Sequence, residues 1–237
     1  MFFNTQYLIY MIPAFLLMAI TSWYVKSAYN RWSRVAARSG LTGYQAAQRL
    51  ISAGGLSGVQ VEGVAGNLTD NYDPRTKILH LSQGVAQTPS VASLAIAAHE
   101  LGHAMQDQEE YLPLRFRSAL VPMVNIGSNL GWILIAVGLF LNYAGLAFGV
   151  NIAWLGVVAF AGGAVFALAT LPVELNASKR ARQLLADTGL IQGEDEQRGV
   201  NTVLNAAALT YVAALVTALL QLLYYTNLVG GLGRRRR

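Results

Sequence analysis

The chain has 237 residues, of which 54% are hydrophobic and only 12% are charged, about half the charged share of an ordinary soluble domain. This composition excludes a typical soluble protein and a disordered one, and the absence of cysteine excludes disulfides, thiolate metal sites and a cysteine nucleophile. The net charge of +5 reflects mainly the terminal run Arg234 to Arg237. Because no basic patch alternates with aromatic residues, nucleic-acid binding is not expected.

The charged residues are absent from three long tracts. No Asp, Glu, Lys or Arg occurs in residues 1–25, 118–173 or 199–233. A transmembrane helix needs about 20 apolar residues, so these tracts suffice for about four crossings. The sequence therefore predicts a polytopic membrane protein with a modest water-exposed part.

Residues 1–25 form the first predicted transmembrane helix. The tract lacks a basic leading region and a small-residue cleavage site, which favours a retained helix over a signal peptide. Lys26 and Arg31 follow directly. Basic residues mark the cytoplasmic side of a span, so we expect the N-terminus outside and the next segment inside.

Residues 26–118 form the first predicted polar segment. Thr42 to Ala53 is predicted to form a short helix. Apolar and polar residues alternate at 59–62 and 78–81, which predicts two short strands, and residues 73–75 carry a turn signal before the second strand. We therefore expect a short β-hairpin. From Ser90 an apolar stripe of helical period predicts a helix to about Glu110.

That last helix carries the sequence His99-Glu-Leu-Gly-His103. Residues four apart lie one turn apart on the same face, so both imidazoles can bind one metal ion. Glu100, beside the first histidine, can act as general base on a metal-activated water. Zinc suits imidazole and carboxylate ligands with one open position, so we predict one Zn²⁺ per chain.

Glu174 is the strongest candidate for a third ligand. It is the first charged residue after the uncharged tract 118–173, at the predicted cytoplasmic end of a span, where a carboxylate indicates a functional site. Other candidates are weaker. Glu109 points away from the histidines on a continuous helix, His80 reads as a face residue of the sheet, and Asp107 suits a hydrogen-bond acceptor or the surface.

The remaining segments complete the predicted organisation. It consists of a transmembrane hairpin (119–173), a second catalytic segment (174–202), a fourth transmembrane helix (203–233) and the Arg tail (234–237). Four crossings place the C-terminus outside, whereas four arginines favour the inside. Either the tail departs from the rule or one terminal segment does not cross completely.

Several segments together resemble the YugP-like neutral zinc metallopeptidases of bacterial membranes. The resemblance covers nearly the whole chain except the tail and rests on His99–His103, Glu174-Leu-Asn-Ala-Ser178, Asp73–Lys77 and Val203–Ala213. The chain is more distantly similar to the HtpX and CAAX-prenyl membrane gluzincins. The resemblance implies zinc ligands at His99, His103 and Glu174 and a catalytic base at Glu100. Ser178 replaces an Asp that supports a histidine ligand in those gluzincins, so that role does not carry over directly.

These observations predict a mainly α membrane protein with about four transmembrane helices and a small α+β zincin-like catalytic part. The expected function is that of a zinc metalloendopeptidase at the cytoplasmic face of a bacterial cell membrane, acting on peptide or protein substrates. The strand at residues 78–82 is expected to receive extended substrate by edge pairing. Tyr72, Tyr111, His80 and Arg180 are alternative candidates for stabilising the oxyanion.

Two other functions are less favoured. A site-2-type intramembrane protease would carry its HExxH sequence inside a span, but the helix around His99 is too short and polar to cross. A non-catalytic membrane scaffold with a structural zinc site would need a fourth protein ligand, which is hard to find in this chain. The sequence does not determine the oligomeric state.

Overall fold

The computed structural model describes residues 5–234, with side chains to residue 231. Its helices are α1 (Thr5–Trp32), α2 (Gly43–Ala53), α3 (Gln83–Gln87), α4 (Val91–Gln108), α5 (Leu112–Tyr143), α6 (Gly149–Asp187) and α7 (Gly193–Arg234). Its strands are β1 (Gln60–Val64), β2 (Asn71–Asp73) and β3 (Ile78–Ser82). Helix α7 ends at Arg234, and the rest of the predicted Arg tail lies outside the described residues.

Four of these helices, α1, α5, α6 and α7, are long and apolar enough to cross a membrane. This confirms the predicted class of a mainly α membrane protein with a small α+β part. The charge pattern located the spans because Lys, Arg, Asp and Glu are costly in a hydrocarbon environment. The individual domain boundaries remain a prediction.

The described residues form two compact units, and the first contains residues 5–20, 115–171 and 211–234. Within it, α5 and α6 form a hairpin whose backbones approach closely at glycine. A Cβ atom on Gly138 would lie 2.4 Å from the amide nitrogen of Ala153, and one on Gly156 would lie 2.6 Å from the carbonyl oxygen of Gly131. Small residues thus bring the two helices into contact, as is common between transmembrane helices.

The second unit contains residues 21–114 and 172–210, with a three-stranded sheet of order β1-β3-β2. Strand β1 runs parallel to β3, and β2 runs antiparallel to it. The predicted strands at residues 59–62 and 78–81 are present as β1 and β3, but they pair in parallel and do not form the expected hairpin. The hairpin in the structure joins β3 to β2, a strand that was not predicted. The expectation that residues 78–82 receive substrate at a free edge is wrong. Residues 78–80 pair on both sides, and the Ser82 amide donates to Asp70 Oδ1 at 2.8 Å.

Helix α4 lies in the core of the second unit, as its apolar stripe predicted. Leu94, Ala97 and Leu101 are fully buried, and α4 packs against α2 and the sheet. The Ser90 side chain caps the start of α4 by accepting from the Ser93 amide at 3.1 Å. With its apolar face turned into the core, the helix presents its histidines to residues 172–187 of α6.

Candidate metal centre

The structure brings the three predicted ligands together. The ligand atoms of His99, His103 and Glu174 all lie within 4.8 Å of one another. Glu174 Oε2 lies 3.3 Å from His99 Nε2 and 3.5 Å from His103 Nε2. Among the described residues this is the one group of three or more His, Asp or Glu side chains arranged to hold a metal ion, and it includes none of the weaker candidates.

A glycine between the two histidines allows this convergence. A Cβ atom on Gly102 would lie 2.4 Å from the carbonyl oxygen of Ala177 on α6, closer than any real contact. Ala177 lies in the same segment of α6 as Glu174 and Ser178. The small residue inside the HELGH sequence was the available signal for this close approach, and sequence reasoning missed it.

Both histidines are held through their Nδ1 atoms. His99 Nδ1 lies 3.2 Å from Ser178 Oγ, and His103 Nδ1 lies 3.0 Å from Gln106 Oε1. In each ring Nε2 is the atom beside Glu174. Ser178, to which the resemblance in sequence assigned no role, therefore contacts a candidate ligand directly. Sequence reasoning assigned no role to Gln106.

Glu100 lies on α4 between the two histidines in sequence and is held by the sheet. Its Oε2 accepts a hydrogen bond from the backbone amide of Tyr72 in β2 at 3.1 Å. Burial raises the pKa of Glu100, and the charges of His99 and His103 oppose this shift. A carboxyl group with a raised pKa is a better proton acceptor than an exposed glutamate, which suits a general base.

Two of the oxyanion candidates have polar groups engaged elsewhere. The Tyr72 hydroxyl donates to Asp107 Oδ2 at 2.8 Å. Arg180 donates to both carboxylate oxygens of Glu109 at 2.6 and 2.7 Å, and Glu109 is not part of the candidate ligand group. The Arg180 guanidinium carbon Cζ lies over the Tyr111 ring, 5.9 Å from the ring centroid.

His80, the fourth oxyanion candidate, lies on β3. It pairs in register with Glu62 of β1 and Asn71 of β2. This position agrees with its reading as a residue of the sheet.

The donor set fits a zinc ion of the catalytic type. It offers two imidazole nitrogens and one carboxylate, the three protein ligands typical of such sites. His99 is 9% exposed and Glu174 is 2% exposed, so the donors are shielded from water. Oxygen partners on the outer ring nitrogens are the usual support for metal-binding histidines.

Comparison with known proteins finds one matching family and a similar bacterial protein. A family described as "Putative neutral zinc metallopeptidase" matches residues 7–230. The chain is 42% identical over 201 residues to the "Putative membrane protease YugP" of Bacillus subtilis (strain 168), an alignment that covers 85% of this chain and 86% of that protein. No solved structure matches.

Proposed function

The chain belongs to the family described as "Putative neutral zinc metallopeptidase", and from this premise we propose that it is a membrane zinc endopeptidase. The observation that carries the proposal is the convergence of His99, His103 and Glu174 beside the carboxylate of Glu100. Two histidines and a glutamate would hold the ion, and Glu100 would act on the proton of the attacking water. The substrate class is peptide or protein.

A zinc ion at this site would supply a Lewis acid that lowers the pKa of water and polarises the scissile carbonyl. Glu100 accepts a proton from the attacking water and passes it to the leaving amine. The Tyr72 amide, which donates to Glu100 Oε2, orients this carboxylate. Ser178 and Gln106 hold the two imidazole rings, so that Nε2 of each ring faces the shared centre.

The alternatives fit these observations less well. A structural zinc site usually has four protein ligands, whereas the group of described residues contains three. A site-2-type protease requires the HExxH helix to cross the membrane, and α4 is not among the four described helices that are long and apolar enough.

The first test combines zinc content with hydrolysis of an unfolded reporter protein by the full chain in detergent. Glu100→Gln should keep stoichiometric zinc and lose activity by a factor of about 10²–10⁴, because general-base catalysis is removed. Glu174→Ala should lose tightly bound zinc. Glu194→Gln, an exposed first-turn residue of α7, is the control. Full activity of Glu100→Gln would eliminate the enzyme proposal.

A second test addresses orientation, since we also propose that the site faces the cytoplasm of a bacterial cell. The chain has no cysteine, so single cysteines can be labelled without background. Ser57→Cys in the second unit should react only from the inside, and Ala144→Cys in the α5–α6 turn only from the outside. Both positions are exposed. Labelling of Ser57→Cys from outside intact cells would show that the site faces the outside, contrary to the proposal.

A further inference from the structure

A chain of side-chain hydrogen bonds leads from α6 to one of the metal-binding histidines. Arg180 Nε donates to Asn176 Oδ1 at 2.7 Å. Gln106 Nε2 donates to the same oxygen at 2.9 Å. Gln106 Oε1 then lies 3.0 Å from His103 Nδ1. Three consecutive contacts thus connect a guanidinium group to an imidazole ring.

The donor and the acceptor of every hydrogen bond in this series follow from Arg180, the first residue. A guanidinium group has donors and no acceptor, so the Asn176 atom that faces Arg180 is the oxygen. That oxygen requires a donor from Gln106, which must therefore present its NH₂ group. The remaining amide oxygen of Gln106 faces His103 Nδ1, and that nitrogen must carry the proton.

A second acceptor holds Gln106 in the same orientation. Its Nε2 also donates to the carbonyl oxygen of Val173 at 2.8 Å. The side chain is fully buried, so an inverted amide would oppose its oxygen to two other acceptors without water to relieve them. Leaving buried polar groups unsatisfied is costly, and the orientation is therefore unique.

From these contacts we infer that Gln106 is a positioning residue that fixes the tautomer of His103. With the proton on Nδ1, the lone pair is on Nε2, the atom 3.5 Å from Glu174 Oε2. The inference rests on the zinc site of the proposed function. It gives Arg180 the role of setting this hydrogen-bond direction in place of stabilising an oxyanion.

The tautomer of His99 is not selected in the same way. Its Nδ1 contacts the Ser178 hydroxyl, which can donate or accept a hydrogen bond and does not by itself select a tautomer. The two ligands are therefore supported by different means. Gln106 also contacts α6 at Val173 and Asn176, on both sides of Glu174 in sequence, so one amide couples the ligand on α4 to the segment that carries the third ligand.

Nitrogen NMR of the wild-type protein provides a direct test. Selective ¹⁵N-histidine labelling of the zinc-loaded full chain gives signals from only three histidines, and His80 serves as the internal reference. We expect a protonated Nδ1 and a metal-bound Nε2 for His103. A proton on Nε2 of His103 would overturn the inference, and this measurement requires no substitution.

Variants separate positioning from general packing. Gln106→Met removes the acceptor for His103 and should weaken zinc binding about 10- to 100-fold. Gln106→Met also removes the two hydrogen bonds that Gln106 Nε2 donates to α6. Gln106→Glu loses the same two hydrogen bonds but keeps an acceptor for His103. It should bind zinc at least as tightly as wild type, although both metal-free variants unfold at lower temperature. Gln108→Met, an exposed change on the same helix, is the control.

Two results would contradict a positioning role. Zinc affinity that falls equally in both Gln106 variants would indicate packing, and wild-type affinity in Gln106→Met would remove the role altogether. Zinc affinity is measured by competition with a chromophoric chelator and does not depend on peptide hydrolysis. A wild-type protein that binds zinc with the expected tautomer but cleaves no peptide would refute the proposed function alone.

Discussion

A Cβ atom on Gly102 would lie 2.4 Å from the carbonyl oxygen of Ala177. This contact defines how closely α4 and α6 pack at the candidate metal centre. Glu174 and Ser178 lie on the same segment of α6 and reach His99 only because that segment is close. The residue between the two histidines therefore controls whether the third ligand can join them.

Gly102→Ala should consequently weaken both the fold and the metal site. Forcing an extra methyl group into a filled space costs about 1–3 kcal/mol, and the displaced α6 would carry Glu174 away from the histidines. We expect lower thermal stability and reduced zinc content. Gly63→Ala, where nothing lies within 4 Å of the added atom, is the control. Unchanged zinc affinity in Gly102→Ala would disprove the importance of this contact.

Ser178 should support zinc binding through His99. Ser178→Ala removes the oxygen 3.2 Å from Nδ1, and loss of such a partner typically weakens metal affinity about tenfold or more. Ser178→Asp should strengthen zinc binding, because a carboxylate raises the basicity of the imidazole. Chelator competition measures both effects, with exposed Ser52→Ala as the control. Equal affinities in all four proteins would contradict this role.

Tyr72→Phe should distinguish a structural hydroxyl from an oxyanion donor. Removing an oxyanion donor costs about 10²–10³ in kcat, but the Tyr72 hydroxyl is engaged by Asp107. We therefore expect kcat to fall less than about tenfold. The free energy of unfolding should fall by about 0.5–1.5 kcal/mol, the value of one hydrogen bond. Tyr44→Phe, a change at an exposed residue of α2, is the control, and a hundredfold loss of kcat would support an oxyanion role for the Tyr72 hydroxyl.

The α5–α6 hairpin offers a matched pair of glycine substitutions on one helix. In Gly156→Ala the added atom would lie 2.6 Å from both Gly131 O and Ile135 N, whereas nothing lies within 4 Å of it in Gly162→Ala. The first change should destabilise the protein by about 1–3 kcal/mol. The second should be neutral or stabilising by up to about 1 kcal/mol. Thermal unfolding in detergent measures both, and equal melting temperatures would contradict the close packing.

The sheet illustrates where local pattern stops being informative. Strand β3 alternates over five residues and was predictable, whereas β2 has only three residues, Asn71–Asp73, too few to show a period. Pairing partners are not encoded in either pattern. The sequence therefore predicted the positions of β1 and β3 but not their parallel pairing, and it assigned the free edge to β3, which lies between β1 and β2.

The sequence alone determined the membrane class and the chemistry of the candidate ligands. Charge exclusion from the spans and the four-residue spacing of His99 and His103 are local properties, readable from neighbouring residues. Only the tertiary structure decided how those ligands are held. Ser178 lies 79 residues from His99, and Val173 lies 67 residues from Gln106. Contacts at such separations depend on how closely two helices pack, and that distance is set here by a missing side chain at Gly102.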